Sequence, residues 1–393
     1  MKHITGLLII LILAVSCNED PTSVGSQLIP GGDFLDFQIL DSFTDTLQQT
    51  SSYTLDDIDL KRSTKILVGK NENIESWMLM RFLMLFPDSA LQPLTVDSLN
   101  IVSTKVEMRP NYRFGDPAGT FDFTVHRVYD AWTPSGFDKD SMSSLVYDPA
   151  DYSSNKTVTD SLITFDIDTS LVLDWLRRTW DLSYPENHGV VFIPTPNTTR
   201  IFGFPGYDAY TTEFLTQISI VYEKPGIFTD TVVVIPFSDV HAVRGEMPIG
   251  NPENIILQGG LTTRGQLHFD VSEIPQNSIV NRATLQLFVD TLETVNGTVP
   301  TDSIRVFIYK NVETKSIIDS TIYYTLVRDS GSAFYEGEVS RLVQEWISGV
   351  DNQGFRINIS DEARSVNKIA IKGSDSSDPA LRPRLKVIYS KKM

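Results

Sequence analysis

One cysteine, Cys17, stands in 393 residues, so no disulfide can form within the chain and its cores must hold by burial alone. The most apolar stretch, Ile4 to Val15, has 12 residues, against the roughly 20 that a membrane-spanning helix needs. Histidines are few and scattered, without H-x-H or H-E-x-x-H spacing, whereas zinc takes three or four convergent ligands. No G-x-S-x-G elbow, Gly-rich phosphate loop or C-x-x-C is present, which removes the usual signatures of nucleophilic, phosphoryl-transfer and thiol chemistry. Cations are outnumbered: 33 Lys and Arg face 50 Asp and Glu, for a net charge of −17. Such a field repels nucleic acid and anionic surfaces. With so many carboxylates some pair by accident, so neighbouring acids do not define a glycosidase dyad. The chain reads as non-catalytic and as no partner of nucleic acid.

What the N-terminus does contain is an address. Lys2 supplies a positive start, the 12-residue apolar run follows, and Ala14-Val15-Ser16-Cys17 ends it with small residues. This is the shape of an export signal. It resembles the lipobox of bacterial lipoproteins, in which residues 1–16 are removed and Cys17 carries acyl chains that hold the protein to a membrane. The acidic Asn18-Glu19-Asp20 flank resembles that of lipoproteins displayed on the outer face of the outer membrane. Residues 17–33, rich in Pro, Gly, Ser and Thr, read as a tether.

The body of the chain reads as a duplication. Leu171-Val172-Leu173-Asp174-Trp175 returns as Leu342-Val343-Gln344-Glu345-Trp346, and Ile66-Leu67-Val68 as Ile255-Ile256-Leu257. Thr104 to Met108 matches Ala283 to Leu287, Ile218 to Tyr222 matches Leu385 to Tyr389, and Phe43-Thr44-Asp45-Thr46 recurs letter for letter at Phe228 to Thr231. Alternation with period 2, as in Ile304 to Tyr309, and turn-forming clusters such as Gly373 to Pro379 indicate an all-β protein. One short helix per copy is expected, Thr169–Arg178 and Ser340–Ser348, the second capped by Ser340. Glu223-Lys224-Pro225-Gly226 reads as a turn between the copies. The expected architecture is two tandem β-sandwich (jelly-roll) domains, 34–223 and 228–393.

The order of landmarks, from Arg81-Phe82 or His268-Phe269-Asp270, through Ala283-Thr284-Leu285-Gln286-Leu287 and Val128-Tyr129-Asp130-Ala131-Trp132-Thr133, to Arg382 to Tyr389, resembles the bacterial DNRLRE-type domain. That module is a jelly roll also classed among carbohydrate-binding modules. The resemblance implies a non-catalytic module of exported proteins, some of which bind acidic polysaccharides.

Candidate ligand residues follow from asymmetry between the copies. Four of the five Trp lie in the first copy, whose longer loops also carry many Tyr. Sugar rings stack on such side chains through their C–H faces. Trp180, Tyr184, Tyr207 and Tyr112 form the expected platform, with Arg113 or Arg177 reading an acidic sugar. Trp175 and Trp346 read as core anchors. Loop carboxylates Asp138, Asp140, Asp375 and Asp378 are the candidates for a structural calcium ion. The partner implied is a polysaccharide or, alternatively, an envelope protein for which this chain is a structural or interaction module.

Overall fold

The computed structural model describes residues 37–45, 47–57, 60, 63–209 and 215–391. The expected signal segment 1–16, the expected acylation site Cys17 and the expected tether 17–33 lie outside the described residues. The first half contributes β1 (Phe37–Asp41), β2 (Gln49–Leu55), β3 (Lys65–Asn71), β4 (Ile74–Phe82), β5 (Asn100–Met108), β6 (Tyr112–Phe114), β7 (Phe123–Arg127), β8 (Ser153–Val158), β9 (Ile163–Ile167), β10 (Val190–Pro194), β11 (Ile201–Pro205) and β12 (Gln217–Lys224). The second contributes β13 (Phe228–Val234), β14 (Pro236–Gly245), β15 (Asn254–Gln258), β16 (Thr263–Phe269), β17 (Ile279–Phe288), β18 (Ser303–Asn311), β19 (Ser316–Ile317), β20 (Tyr324–Val327), β21 (Phe334–Glu338), β22 (Phe355–Ile359), β23 (Lys368–Lys372) and β24 (Arg384–Ser390). The fold is all-β and of sandwich type, with antiparallel pairing.

One pairing scheme occurs twice. β3 pairs β4 as β15 pairs β16, and β10 lies between β4 and β7 as β22 lies between β16 and β18. β5 lies between β12 and β9 as β17 lies between β24 and β21. The registers agree as well: Val190 opposes Met80 where Phe355 opposes Leu267, and Phe192 opposes Val125 where Ile357 opposes Val306. Trp175 and Trp346 are both buried, one stacked on Phe82 and the other tilted against Phe355.

The pairing also crosses the boundary that the repeat draws in the sequence. β13 and β14 complete the sheets of the first half, on β12 and β4, while β1 and β2 complete those of the second, on β24 and β16. The two edges filled in this way are equivalent positions of the scheme. The reason lies in four residues. Ile227 N–H donates to the Lys224 carbonyl across Pro225-Gly226, with Gly226 at φ 73°. Pro at the second position and a positive-φ Gly at the third make a tight type II turn. That turn folds β13 back onto β12, so the equivalent edge of the second half is left to the N-terminal pair. Val234 accordingly packs in the first core, and Leu40 in the second. The N-terminal pair is also held by charge. Asp41 takes two bonds from Arg384 (2.9 and 2.6 Å), and Asp56 joins Glu362 around the buried Arg264. A further apolar cluster, with Leu67, Ile74, Tyr112 and Val243 against Leu261 and Val366, joins the halves.

Several expectations need correction. The letter-for-letter match at Phe43 and Phe228 is out of register: Asp41, not Gln48, stands where Val233 stands, opposite Lys386 and Ser219 respectively. Phe43 to Asp45 form a turn, and Phe228 to Thr231 lie in strand. The first half has three helices rather than one: α1 (Asp88–Thr95), α2 (Lys139–Ser144) and α3 (Thr169–Arg178). The first two have only 8 and 6 residues, too brief to leave a clear helical period in the sequence. α4 (Ser340–Ile347) is not capped by Ser340. That hydroxyl instead accepts from Ala283 N–H at 2.8 Å and donates to Glu338 at 2.7 Å.

Candidate ligand-binding site

The helix α3 begins at Asp168, whose carboxylate accepts from Ser170 N–H at 2.7 Å, and buries Leu171, Val172, Trp175 and Leu176. Burying that face turns Arg177 and Arg178 outward at the C-terminal end, where cations suit the exposed carbonyls. The chain continues in turns through Trp180 to Tyr184. Arg178 fixes this loop by donating to the Tyr184 carbonyl at 3.1 Å and to that of Leu182. Arg177 lies over the Tyr184 ring, 5.5 Å from its centre, and is paired with Asp97. Trp180 is 63% exposed, and Leu182 is exposed beside it. Three of the six expected residues, Arg177, Trp180 and Tyr184, therefore come together.

The other three do not join them. Tyr112 is fully buried in the cluster between the halves, its hydroxyl donating to Asn367 at 2.8 Å and accepting from Val366 N–H at 3.1 Å. Burial pushes its phenol pKa up. No ring face is left for a sugar, so the expectation for Tyr112 is corrected to a structural role. Arg113 donates to the Asp160 carbonyl at 2.6 Å, its N–H donates to the Thr298 hydroxyl at 3.0 Å, and its carbonyl accepts from Thr298 N–H of the second half. Tyr207 is exposed but starts a separate 3-10 turn after β11, with its N–H on Asp239 at 2.8 Å. Period-2 alternation would have marked Tyr112, between Asn111 and Arg113 with Phe114 beyond, as an inward position.

Two of the four carboxylates proposed for calcium, Asp138 and Asp378, act as caps. Asp138 accepts from the N–H groups of Asp140 and Ser141 (3.1 and 2.8 Å) at the start of α2, and these bonds hold its pKa below the usual range. Asp378 accepts from Ala380 N–H at 2.9 Å, and Asp375 from the Ser374 hydroxyl at 3.4 Å. Among the described residues no group of three or more His, Cys, Asp or Glu converges on a point that could hold a metal ion. Asp140 and Asp375 are correspondingly not brought to a shared centre.

The sequence reading missed two features. A groove of about 250 Å³ runs along β17 and β24, lined by Arg282, Thr284, Gln286, Arg384, Lys386 and Ile388. Its signal was available, since these are alternate residues of two antiparallel strands. Two titratable groups also sit on β14. His241 is wholly buried against the apolar core, which pushes its pKa down to about 3, and burial pushes Asp239 up to about 7.

Among the described residues no helix is long and apolar enough to cross a membrane. No curated protein matches the chain. Residues 247–383, which take in β15 to β23, are similar to the family model described as the TGF-beta propeptide.

Proposed function

We propose that this is a non-catalytic, lipid-anchored protein of the outer-membrane surface that holds polysaccharide chains. The observation that carries this reading is the end of α3. There an exposed indole, a half-buried phenol and a guanidinium lie within one short loop, and Arg178 fixes its backbone. Indole and phenol offer stacking faces for sugar rings, and a guanidinium held over one of them offers donors to hydroxyl or carboxylate oxygens. The anchor rests on the lipobox-like Ala14 to Cys17. A protein-interaction role is the second reading, favoured by the exposure of Leu182 next to Trp180, which together add apolar area suited to a protein surface.

A glycan array probed with the protein from residue 18 onward tests the proposal. Retention on one polymer class, lost in Trp180→Ala, supports it. Binding to no polymer, with Trp180→Ala instead abolishing capture of an envelope protein, moves the assignment to the second reading. Separately, Cys17→Ala is expected to release the protein from the membrane fraction, and continued retention would refute the anchor.

A further inference from the structure

We propose that the outer edge of β13 pairs with β13 of a second copy of the chain, antiparallel and centred on Thr231, so that two chains share one sheet.

β13 stands at the end of the sheet it forms with β12, β5, β9 and β8, and among the described residues no strand pairs with its outer side. The backbone bonds of an antiparallel strand alternate between its two sides. Thr231 N–H donates to the adjacent Asp230 carboxylate at 2.8 Å rather than to β12. Thr229 and Val233, two residues either way, therefore also turn their N–H and C=O groups outward. Thr229, Asp230 and Thr231 are all exposed, so no loop closes over this edge.

Edges are usually blunted by bulges, charge or covering loops. The opposite edge of this sheet, β8, has the first two: its register shifts between Ser154 and Thr157, around Lys156 and an Asn155 at φ 51°. On β7 a loop covers the edge, with the Val125 and Arg127 carbonyls accepting from Tyr152 and Asp148 N–H. β13 instead keeps one register on β12 from Phe228 to Val234, without Lys, Arg, Pro or Gly.

Self-complementarity selects the occupant. A two-fold axis sets each residue of a strand opposite its mirror position, as in any isologous interface. About Thr231 this pairs Thr229 with Val233, Asp230 with Val232 and, one step beyond the strand, Ile227 with Ile235. Ile227, Val233 and Ile235 are 68%, 53% and 40% exposed, and each gains an apolar or β-branched partner. Leu83, whose N–H donates to the Ile235 carbonyl, is exposed alongside. Like charges are not opposed. The two Asp230 carboxylates face Val232 rather than each other, and the outer row runs Lys105, Ser219, Val233, then Thr229 and Glu223 of the second copy. The counterpart edge, β1, lacks this symmetry: centred on Ile39, it would set Phe37 against Asp41. The charge of −17 on each chain still repels at range, so salt should strengthen the pairing.

The protein from residue 18 onward keeps every described element and has no cysteine, so disulfides can read the register. Thr231→Cys puts two thiols on a bonded pair with Cα atoms about 5.5 Å apart, within disulfide reach. Oxidised dimer is expected from Thr231→Cys alone, and from Thr229→Cys mixed with Val233→Cys. Val233→Cys alone, with its thiols four residues apart at roughly 13 Å, should give at least about tenfold less. In sedimentation equilibrium the parent should double its mass with a midpoint on the order of 100 µM, as suits a small interface. Val233→Lys should weaken this at least about tenfold. A melting profile identical to the parent's confirms that Val233→Lys folds; if it does not, Ile227→Ser replaces it. A parent still monomeric at about 1 mM overturns the proposal, as does cross-linking that ignores position. Dimerisation untouched by Val233→Lys also overturns it, by placing the contact elsewhere. A monomer whose β13 edge takes up a strand of another protein overturns it too.

Discussion

In the first half the two sheets remain separate, whereas in the second β20 bonds to both β18 and β21 and joins them into one run. The equivalent seam of the first half is bridged by loops: Val128 pairs Tyr147, and Tyr152 N–H donates to the Val125 carbonyl. A sandwich needs its buried faces apposed, but its seam needs only satisfied backbone groups. The same contrast appears where the borrowed strands dock. Trp77 of β4, opposite Ala242, closes the first half with an apolar cluster that includes Trp132 and Phe137. Arg264 of β16, opposite Thr54, closes the second with Asp56 at 2.5 Å and Glu362 at 2.8 Å. Equivalent joints can thus be made by burial or by charge.

The largest test of this contrast is removal of residues 1–57. The second half should lose amide protection along β16 and β24 while β4 and β12 keep theirs. Loss of buried Leu40 together with the Asp41 and Asp56 pairs puts the expected cost above about 5 kcal/mol. Equal loss of protection in both halves would show that they fold as one unit. Next comes Arg264→Ala, which strands two carboxylates in a partly buried site and should cost about 3–5 kcal/mol by urea denaturation. Trp77→Ala should cost a similar amount, about 3–5 kcal/mol, through cavity formation, but only the Arg264 joint should weaken with salt.

A smaller effect separates the halves by pH. His241 and Asp239 oppose Met78 and Met80, whereas Tyr53 and Ser51 take the equivalent places in the second half. His241 is neutral in the fold and charged when unfolded between about 3 and 6.5, so it makes stability fall as pH falls through that window. Asp239 is protonated in the fold and ionised when unfolded between 3.8 and about 7, so it makes stability fall as pH rises. Between 3.8 and 6.5 the two slopes oppose. Relative to the parent, Asp239→Asn should unmask a rise of about 1.4 kcal/mol per pH unit across that range, and His241→Leu a fall of similar size. Parallel curves for parent and variants would remove both groups from the account. The smallest effect is expected from Asp138→Ala, about 1 kcal/mol through the lost cap of α2, with a melting temperature unchanged by calcium.

Strand character, the buried Trp pair and the repeat were legible because period-2 alternation and recurring apolar positions record which side chains face a core. Helix α3 was legible to the residue, since its apolar face and C-terminal arginines fit one pattern. The exchange of strand pairs was not. Which edge a strand joins depends on a turn of four residues and on distant partners, and alternation is the same on either edge. Phe43 and Phe228 showed the converse hazard, a four-letter identity that the hydrogen bonds place out of register. For the candidate site, composition singled out Trp180 and Tyr184, which the structure brings together with Arg177 in one loop. It could not distinguish Tyr112, whose aromatic ring serves the junction of the halves, from an exposed ring.

Because the earliest strands complete the latest, synthesis imposes a wait. At about 5–20 residues per second, the roughly 330 residues between β2 and β24 take about 15–65 s to emerge. During that interval β1 and β2 meet a decoy, the vacant edges of β4 and β12, until β13 and β14 arrive to claim them. A chain halted after residue 227 should trap the mistaken partnership, detectable as a cross-link between positions 39 and 221, and release it once Phe228 to Gly245 are added.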